Sequence, residues 1–352
     1  MVAPEVPGLS VAIDGIIFSL QRNGGVSVYF QELLRVLGQH HEPVTLSLEA
    51  PMRQELLHPA PGIAVRTREA RLLERYRRAR VPAGSKLFHS SYYRRPEHAG
   101  IPSVLTVYDF IYERFRHGPA RWIHVQQKHA AIRAAQVVIC ISEATRREMQ
   151  HWVGDVPGQK VHVVPCGVSD GFKPIELAPQ GRPFVLFVGE RRGYKNFRLS
   201  LQALALLPEL ELHCVGGGPL RPEEFEGIAP AVRARVRHLG FIDEAALNER
   251  YNRAECLLYP SAYEGFGIPP LEAMRAGCPV IAIDCEAVLE VGGPALTVAQ
   301  AAEPGAVALA VQLVRETHYR SRIVQLGLER AAAFSWDAGH AGTLAIYRSL
   351  TR

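Results

Sequence analysis

The sequence from residue 256 to residue 272 reads Cys-Leu-Leu-Tyr-Pro-Ser-Ala-Tyr-Glu-Gly-Phe-Gly-Ile-Pro-Pro-Leu-Glu. Its apolar start predicts a buried strand, and its two prolines suit the first turn of a helix. Gly265 and Gly267 flank an aromatic residue in the loop between, and glycine lets the backbone approach a ligand closely because it has no Cβ. Glu264 follows the strand, and Glu272 falls in the first helical turn. The pattern is typical of a strand–loop–helix unit in a parallel α/β sheet.

Short apolar runs alternate with amphipathic stretches on both sides of this unit, which indicates parallel sheets built from βαβ units. Helices are predicted at 26–37 and 121–135, after Ser142 as an N-cap, and over a long tract from 302 to 350. The predicted strands are 11–14, 44–48, 87–90, 103–108, 137–141, 161–164, 184–188, 212–215, 236–239, 256–259 and 280–283.

A stretch rich in glycine and proline, residues 166–183, interrupts the alternation and predicts a linker. The chain has 352 residues, whereas single cores stop growing at roughly 250–300 residues. We therefore predict an α/β protein with two doubly wound, Rossmann-like domains facing across a cleft. The domains are residues 1–170 and 171–335, and residues 336–352 form a helix that packs back toward the first. Ligands of such sheets bind outside the carboxyl ends of the strands.

Bulk properties exclude several classes of protein. No apolar run approaches the ~20 residues that cross a bilayer, and the first residues do not resemble a signal peptide, so we expect a cytoplasmic protein. The six cysteines form no CxxC pair, which favours buried, reduced thiols. No G-x-G-x-x-G follows the first strand, which argues against a dinucleotide oxidoreductase. Residues 1–170 carry 21 Lys and Arg against 15 Asp and Glu, and residues 171–352 carry 19 against 20.

A second loop, Val-Gly-Glu-Arg-Arg-Gly-Tyr-Lys-Asn at residues 188–196, follows the strand 184–188. Arg191 can hold two phosphate oxygens in a fork, and Lys195 can act as a point charge. A solvated basic turn is the alternative. Gly189 and Gly193 bracket the charges at the carboxyl end of a strand, which favours phosphate binding.

Residues 263–282, Tyr-Glu-Gly-Phe-Gly-Ile-Pro-Pro-Leu-Glu-Ala-Met-Arg-Ala-Gly-Cys-Pro-Val-Ile-Ala, resemble the signature of the retaining GT-B glycosyltransferases of family 4. This group is rich in mannosyl- and rhamnosyltransferases, and the resemblance runs over nearly the whole chain. Residues 189–196 are similar to the family's Gly-x-Arg-x-x-Tyr-Lys-Asn stretch. The resemblance implies transfer of a hexose or deoxyhexose from a nucleotide-diphosphate sugar, such as GDP-mannose or a UDP- or dTDP-linked relative. The implied acceptor is a glycan or a lipid-linked glycan, in cell-surface polysaccharide assembly with retention of configuration.

The resemblance also implies roles for single residues. Glu264 would lie against the donor sugar and Glu272 would bind the nucleotide ribose, whereas Arg191 and Lys195 would hold the diphosphate. An ordinary capped helix would explain Glu272 alone, but not the glycine-flanked aromatic residue beside a second carboxylate. The remaining predicted donor-binding residues are Gly189, Gly265, Phe266, Gly267, Ile268 and Leu271, and the amides of the last three are expected to face the ligand.

The sequence contains no Asp-x-Asp pair. Glycosyltransferases of the other major fold generally use that pair to hold a metal ion on the diphosphate. We therefore expect neither a metal nor another cofactor, because cationic side chains would take the metal's place.

In the first half, Gly24 and Gly25 resemble the family's Gly-Gly loop, which lies over the donor and near the acceptor; a plain turn is the alternative. Tyr108 stands where the family usually has a histidine that faces the far end of the donor sugar. One hypothesis is that Tyr108 accommodates a less polar sugar edge, such as that of a 6-deoxyhexose. Asp109 is the candidate for an enzymic base.

Seven arginines crowd residues 66–80 together with Leu72, Leu73 and Tyr76. A basic amphipathic segment can lie on an anionic membrane, here the inner face of the cell membrane. A solvated arginine-rich helix is the alternative. Nucleic acid is not expected as a partner, because no aromatic platform accompanies the charges. The arginines are Arg66, Arg68, Arg71, Arg75, Arg77, Arg78 and Arg80.

Rival functions stay open at this point. A phosphorylase or a nucleotide-sugar epimerase would use the same fold, the first with inorganic phosphate and the second without an acceptor. A catalytically inactive scaffold protein would bind sugar nucleotide without hydrolysing it. The intact carboxylates and cations of both loops argue against the scaffold.

Overall fold

The computed structural model describes residues 10–21, 24–41, 43–50, 62–98, 100–178, 180–191 and 193–351. The chain forms two compact units, one of Met1–Gly167 with Trp336–Arg352 and the other of Val168–Ser335. These boundaries lie close to those predicted at residues 170 and 335.

The first unit is built on a sheet of seven parallel strands. They are β1 (Val11–Asp14), β2 (Val44–Ala50), β3 (Ile63–Glu69), β4 (Leu87–Ser90), β5 (Ser103–Val107), β6 (Val137–Cys140) and β7 (Lys160–Val163). Their spatial order is β3-β2-β1-β4-β5-β6-β7. The order reverses between β1 and β4, which defines the topological switch point where α/β sheets bind ligands.

The helices of this part of the chain are α1 (Ile16–Leu20), α2 (Gly25–Gln39), α3 (Ile111–Phe115), α4 (Pro119–Ala134) and α5 (Glu143–Val153). The Ser142 hydroxyl accepts the Thr145 N–H at 2.9 Å, which confirms the predicted N-cap of α5.

The second unit has a sheet of six parallel strands in the order β10-β9-β8-β11-β12-β13. They are β8 (Phe184–Val188), β9 (Glu211–Val215), β10 (Val236–His238), β11 (Leu257–Tyr259), β12 (Val280–Ala282) and β13 (Leu296–Val298). Here the switch point lies between β8 and β11. Val185 and Phe187 of the central strand β8 are buried in a core with Leu258 and Val311, so the strand is apolar because its side chains are enclosed.

The later helices are α6 (Phe197–Ala205), α7 (Pro230–Arg233), α8 (Glu244–Arg253), α9 (Ile268–Arg275), α10 (Glu286–Gly292), α11 (Pro304–Arg315), α12 (Thr317–Ala332) and α13 (Trp336–Leu350). The single tract predicted at 302–350 is thus three helices. The last, α13, belongs to the first unit, where the Trp336 ring lies 6.1 Å from that of Tyr29 on α2. Val168 and Ser335, the first and last residues of the second unit, pair in a β-bridge.

Both sheets contain a strand that the sequence did not predict, β3 and β13, and each is at an edge. All six cysteines are buried and free, as expected. Within the described ranges, no helix is both long and apolar enough to cross a membrane.

The arginine-rich segment is not the helix that one alternative predicted. Arg66 and Arg68 lie on β3, and only Glu74–Tyr76 forms a helical turn, of the 3-10 type. Arg71 and Arg80 are ion-paired at 2.7 Å with the buried carboxylates Glu74 and Glu49, respectively. Arg80 therefore ties the segment to β2, whereas the pair of Arg71 with Glu74 braces the segment internally.

Candidate functional site

Two loops at the switch point of the second unit are tied together. One follows β8 and the other follows β11, and these strands are neighbours in the sheet. The Ala262 N–H donates to the Tyr194 carbonyl at 2.8 Å, and Asn196 Nδ2 donates to the Pro260 carbonyl at 2.9 Å. The parallel register places the ends of both strands at one edge, so residues 69 positions apart become neighbours there.

The predicted residues Lys195 and Glu264 meet at this edge. Lys195 Nζ donates to Glu264 Oε1 and, at 3.3 Å, to the Tyr259 hydroxyl. The side chains of Lys195 and Glu264 are 13% and 11% exposed, so the pair is shielded but reachable. Burial, and then the nearby Glu264 carboxylate, holds the pKa of Tyr259 well above its usual range. Tyr259 is therefore a neutral partner for the ion pair.

Glu272 occupies a second polar site in the first turns of α9. The Tyr251 hydroxyl on α8 donates to Glu272 Oε2 at 2.9 Å. Burial raises the pKa of Glu272 to about 7, although the bond from Tyr251 works in the opposite direction. A carboxylate in this state can accept ligand hydroxyl groups and gains charge near neutral pH.

The start of α9 has fewer N–H groups free to bind a ligand than the sequence predicted. Gly267 has φ +115°, a conformation that favours glycine, and the helix begins at Ile268. The next two residues are prolines without an N–H, and the Leu271 N–H is the first to bond within the helix. The prediction for Leu271 was therefore wrong, whereas the amides of Gly267 and Ile268 stay candidates.

Gly265 and Phe266 have enclosed positions in the same loop. The Phe266 side chain is buried and packs edge-on against Phe334 at 5.9 Å. Phe266 therefore anchors the loop through its ring, and any donor contact would come from backbone atoms. Gly189, with φ +120°, donates its N–H to the Val215 carbonyl at 2.9 Å, so its predicted donor contact stays a prediction.

The structure gives Arg191 several partners within the protein. Its side chain is 2% exposed, and Nε donates to Glu224 Oε1 at 3.0 Å. Nη1 donates to the Gly216 carbonyl at 3.1 Å, and Nη2 to the Gly218 and Pro219 carbonyls at 2.8 and 3.0 Å. A guanidinium has five N–H donors, and these contacts use four of them. Arg191 therefore fastens the loop after β9 to the loop after β8, and its predicted contact with a diphosphate stays a prediction. Arg192 lies outside the described residues.

In the first unit, Tyr108 follows β5 with its side chain turned inward. The residue is 6% exposed, its ring lies 5.6 Å from Tyr29, and burial holds its pKa well above the usual range. Asp109 Oδ1 accepts the Ile111 N–H at 3.0 Å at the start of α3, and the Asp109 carbonyl accepts from buried Lys128. The Tyr108 ring and the Asp109 carboxylate thus have structural partners, and the roles in sugar selection and proton transfer stay predictions.

Gly24 and Gly25 form the start of α2. The Ser27 hydroxyl donates to the Gly24 carbonyl at 2.8 Å and accepts the Gly24 N–H at 3.1 Å. Their predicted contact with a ligand stays a prediction.

Two residues of the candidate site in the second unit were missed from the sequence. Tyr259 is the last residue of β11, and its place at the carboxyl end of a buried strand was a usable signal for a site residue. Tyr251 lies in the last turn of α8, and no pattern in the sequence marks it.

Comparisons with known proteins agree with this fold. Residues 23–172 match the family described as Glycosyltransferase Family 4, and residues 169–318 match the family described as Glycosyl transferases group 1. The two parallel-sheet units make this a GT-B protein, and the chain belongs to these glycosyltransferase families.

The chain is similar to O-antigen chain mannosyltransferase B from Escherichia coli, with 28% identity over 63% of this chain and 63% of that protein. It is also similar to an alpha-D-kanosaminyltransferase from Streptomyces kanamyceticus, with 26% identity over 71% of each chain. Among solved structures, sucrose-phosphate synthase from Thermosynechococcus elongatus has a TM-score of 0.76 at 20% identity, over 97% of this chain and 98% of that chain. The match thus spans less than two thirds of the mannosyltransferase, and the structural likeness shows the fold.

Proposed function

We propose that this protein transfers a hexose or deoxyhexose from a nucleotide-diphosphate sugar to a glycan or glycolipid acceptor, with retention of configuration and without a metal ion. The observation that carries the proposal is the ion pair of Lys195 and Glu264 at the switch point of the second sheet. The mannosyl- and kanosaminyltransferase relatives support a hexose-like donor sugar.

Lys195 would hold the leaving diphosphate. An ammonium group has three N–H donors, and Glu264 and Tyr259 accept two of them. The third can reach a phosphate oxygen, whose negative charge grows as the glycosidic bond breaks, so this contact strengthens in the transition state. Lys195 would thus supply the positive charge that a metal ion supplies elsewhere.

Glu264 would orient the sugar and stabilise positive charge that develops at its anomeric carbon. Its Oε1 is paired with Lys195, which keeps the carboxylate in place. Glu272 would bind the ribose, because Tyr251 occupies Oε2 and leaves Oε1 for a ligand hydroxyl. Arg191 donates hydrogen bonds to Glu224 and to loop carbonyls. The amides of Gly267 and Ile268 would therefore be further contacts for anionic oxygens.

The proposal is tested by thermal-shift screening of the full chain against GDP-, UDP- and dTDP-sugars, since a ligand that binds the native state raises its stability. The stabilising donor is then incubated with glycan acceptors in EDTA, and the product's anomeric configuration is read by NMR. Transfer with retention in EDTA supports the proposal. Stabilisation by none of the donors, or an inverted product, would contradict it. A requirement for inorganic phosphate, or conversion of the donor sugar without acceptor, would instead indicate a phosphorylase or an epimerase.

A further inference from the structure

Large apolar side chains lie exposed on three neighbouring segments of the first unit. The segments are the turn after β3, the end of α3 and the start of α4. Their exposed fractions range from 39% for Phe115 to 80% for Leu72. We call this set the apolar face; its members are Leu72, Leu73, Tyr76, Phe115, Trp122 and Ile123.

Contacts around His124 tie the three segments to one another. Arg75 Nη2, in the turn, lies 3.2 Å from His124 Nδ1 on α4, and Gln127 Nε2 donates to the Arg75 carbonyl at 2.8 Å. The Tyr112 ring of α3 stacks on His124 at 3.8 Å between centroids. Arg121 Nε also donates to the Tyr112 carbonyl at 3.1 Å. The exposed side chains are therefore displayed from a fixed scaffold.

The turn that carries the apolar face is strained. Leu73 has φ +56°, in the left-handed region that leucine rarely adopts. Its side chain is also 67% exposed. Backbone strain and water-exposed apolar area both disfavour this arrangement in the free protein. Burial of the side chain against an apolar partner would offset both costs.

The arginines without a carboxylate partner beside the apolar face give it unbalanced positive charge. Arg77 and Arg78 are exposed in the turn, Arg116 follows Phe115, and none of the three has a carboxylate partner among the described residues. The acidic residues of these segments point inward. Buried Glu74 pairs with Arg94 at 3.0 Å, and buried Glu113 pairs with Lys128 at 3.0 Å.

We propose that the apolar face inserts into the interfacial layer of an anionic lipid bilayer. Tryptophan and tyrosine favour that layer, and the leucines would enter the acyl boundary. Unpaired arginines beside them would meet lipid phosphates. Separate side chains on turns and helix ends suit a deformable lipid surface better than a packed protein interface. The surface is composite, unlike the single amphipathic segment at residues 66–80 that the sequence suggested. It does not depend on the transfer reaction proposed above.

The test is co-sedimentation of the full chain with vesicles of phosphatidylcholine alone and of phosphatidylcholine with phosphatidylglycerol. We expect binding to the anionic vesicles that weakens at high salt, together with a blue shift of tryptophan emission that is lost in Trp122→Phe. Failure to bind anionic vesicles at low salt overturns the proposal, as does equal binding to neutral vesicles.

A combined variant, Leu72→Ser, Leu73→Ser and Trp122→Ser, tests the apolar contribution. It removes only exposed side chains, and we expect vesicle partitioning to fall by at least about ten-fold. The matched control is Phe241→Ser with Leu309→Ser, which replaces side chains that are 71% and 66% exposed in the second unit; this variant should bind vesicles like the parent.

Unchanged binding of the triple variant overturns the proposal. So does a concentration-dependent dimer of the parent that the triple variant loses in sedimentation velocity, since the face would then join two copies. Nucleotide-sugar binding is measured on the same samples, which separates failure of this proposal from failure of the proposed transfer.

Discussion

Glu272→Gln replaces one carboxyl oxygen with an amide nitrogen at a site whose carboxyl group has an unusual pKa. Glutamine keeps an oxygen that can accept the hydrogen bond from Tyr251, but it cannot ionise. Burial raises the Glu272 pKa in the folded protein from 4.5 to about 7. The folded state thus holds a proton more tightly than the unfolded state, so the parent loses stability as pH rises from about 4.5 to 7.

The size of this effect follows from the pKa difference. Each pKa unit corresponds to about 1.4 kcal/mol, so the ionised side chain costs the folded protein about 3 kcal/mol above pH 7. The variant should therefore be more stable than the parent by about this amount at pH 8. The two should have nearly equal stability at pH 4, below both pKa values.

Urea unfolding of parent and variant at pH 4, 6 and 8 measures this difference, with both proteins compared in the same transition. Asp14, whose pKa burial raises to about 6, titrates equally in both proteins and cancels in the comparison. Tyr251→Phe is the companion variant: loss of its hydrogen bond should raise the Glu272 pKa further. A stability gain that does not grow with pH would refute the reasoning. In the parent, nucleotide-sugar affinity should rise with pH through 7, and Glu272→Gln should remove that dependence.

Three further substitutions test other parts of the structure. Lys195→Met should weaken nucleoside-diphosphate binding by about ten-fold or more in calorimetry, because it removes the charge at the proposed phosphate contact; unchanged affinity would contradict that role. Arg191→Met should destabilise the second unit by about 3–5 kcal/mol in urea unfolding, because it leaves the Glu224 carboxylate buried without its partner. Adding Glu224→Gln should recover part of that loss, and no recovery would argue against the pair. Ser142→Ala should cost about 1 kcal/mol of stability through the lost cap of α5, and the exposed Ser321→Ala in α12 serves as its control.

The sequence predicted what depends on local pattern and strand order. Lys195 and Glu264 each follow a buried strand, so their meeting at one edge could be anticipated before the structure was available. The contacts of Arg191 could not be anticipated, because its partners are loop carbonyls and a carboxylate 33 residues further along the chain. Tyr251 was missed for a similar reason: its contact with Glu272 depends on how α8 packs against α9.

Edge strands escaped prediction for a different physical reason. The predicted strands are apolar because both faces of a central parallel strand are enclosed. β3 reads Ile-Ala-Val-Arg-Thr-Arg-Glu, and most of its residues are exposed at the sheet's edge. Its arginines suggested an amphipathic surface segment, whereas a solvated edge accepts polar side chains within a strand.

The return of α13 to the first unit has a consequence for the order of assembly during synthesis. The second unit is an insertion whose two ends are joined by the bridge between Val168 and Ser335. Once residue 335 has left the ribosome, the second unit has all its strands and helices, but the first still lacks α13. At that stage Tyr29 lacks its contact with Trp336, and buried His89 lacks its contact with Tyr347. The unit that is translated first is thus the one that is completed last, and a fragment that stops at residue 167 would leave that face of α2 uncovered.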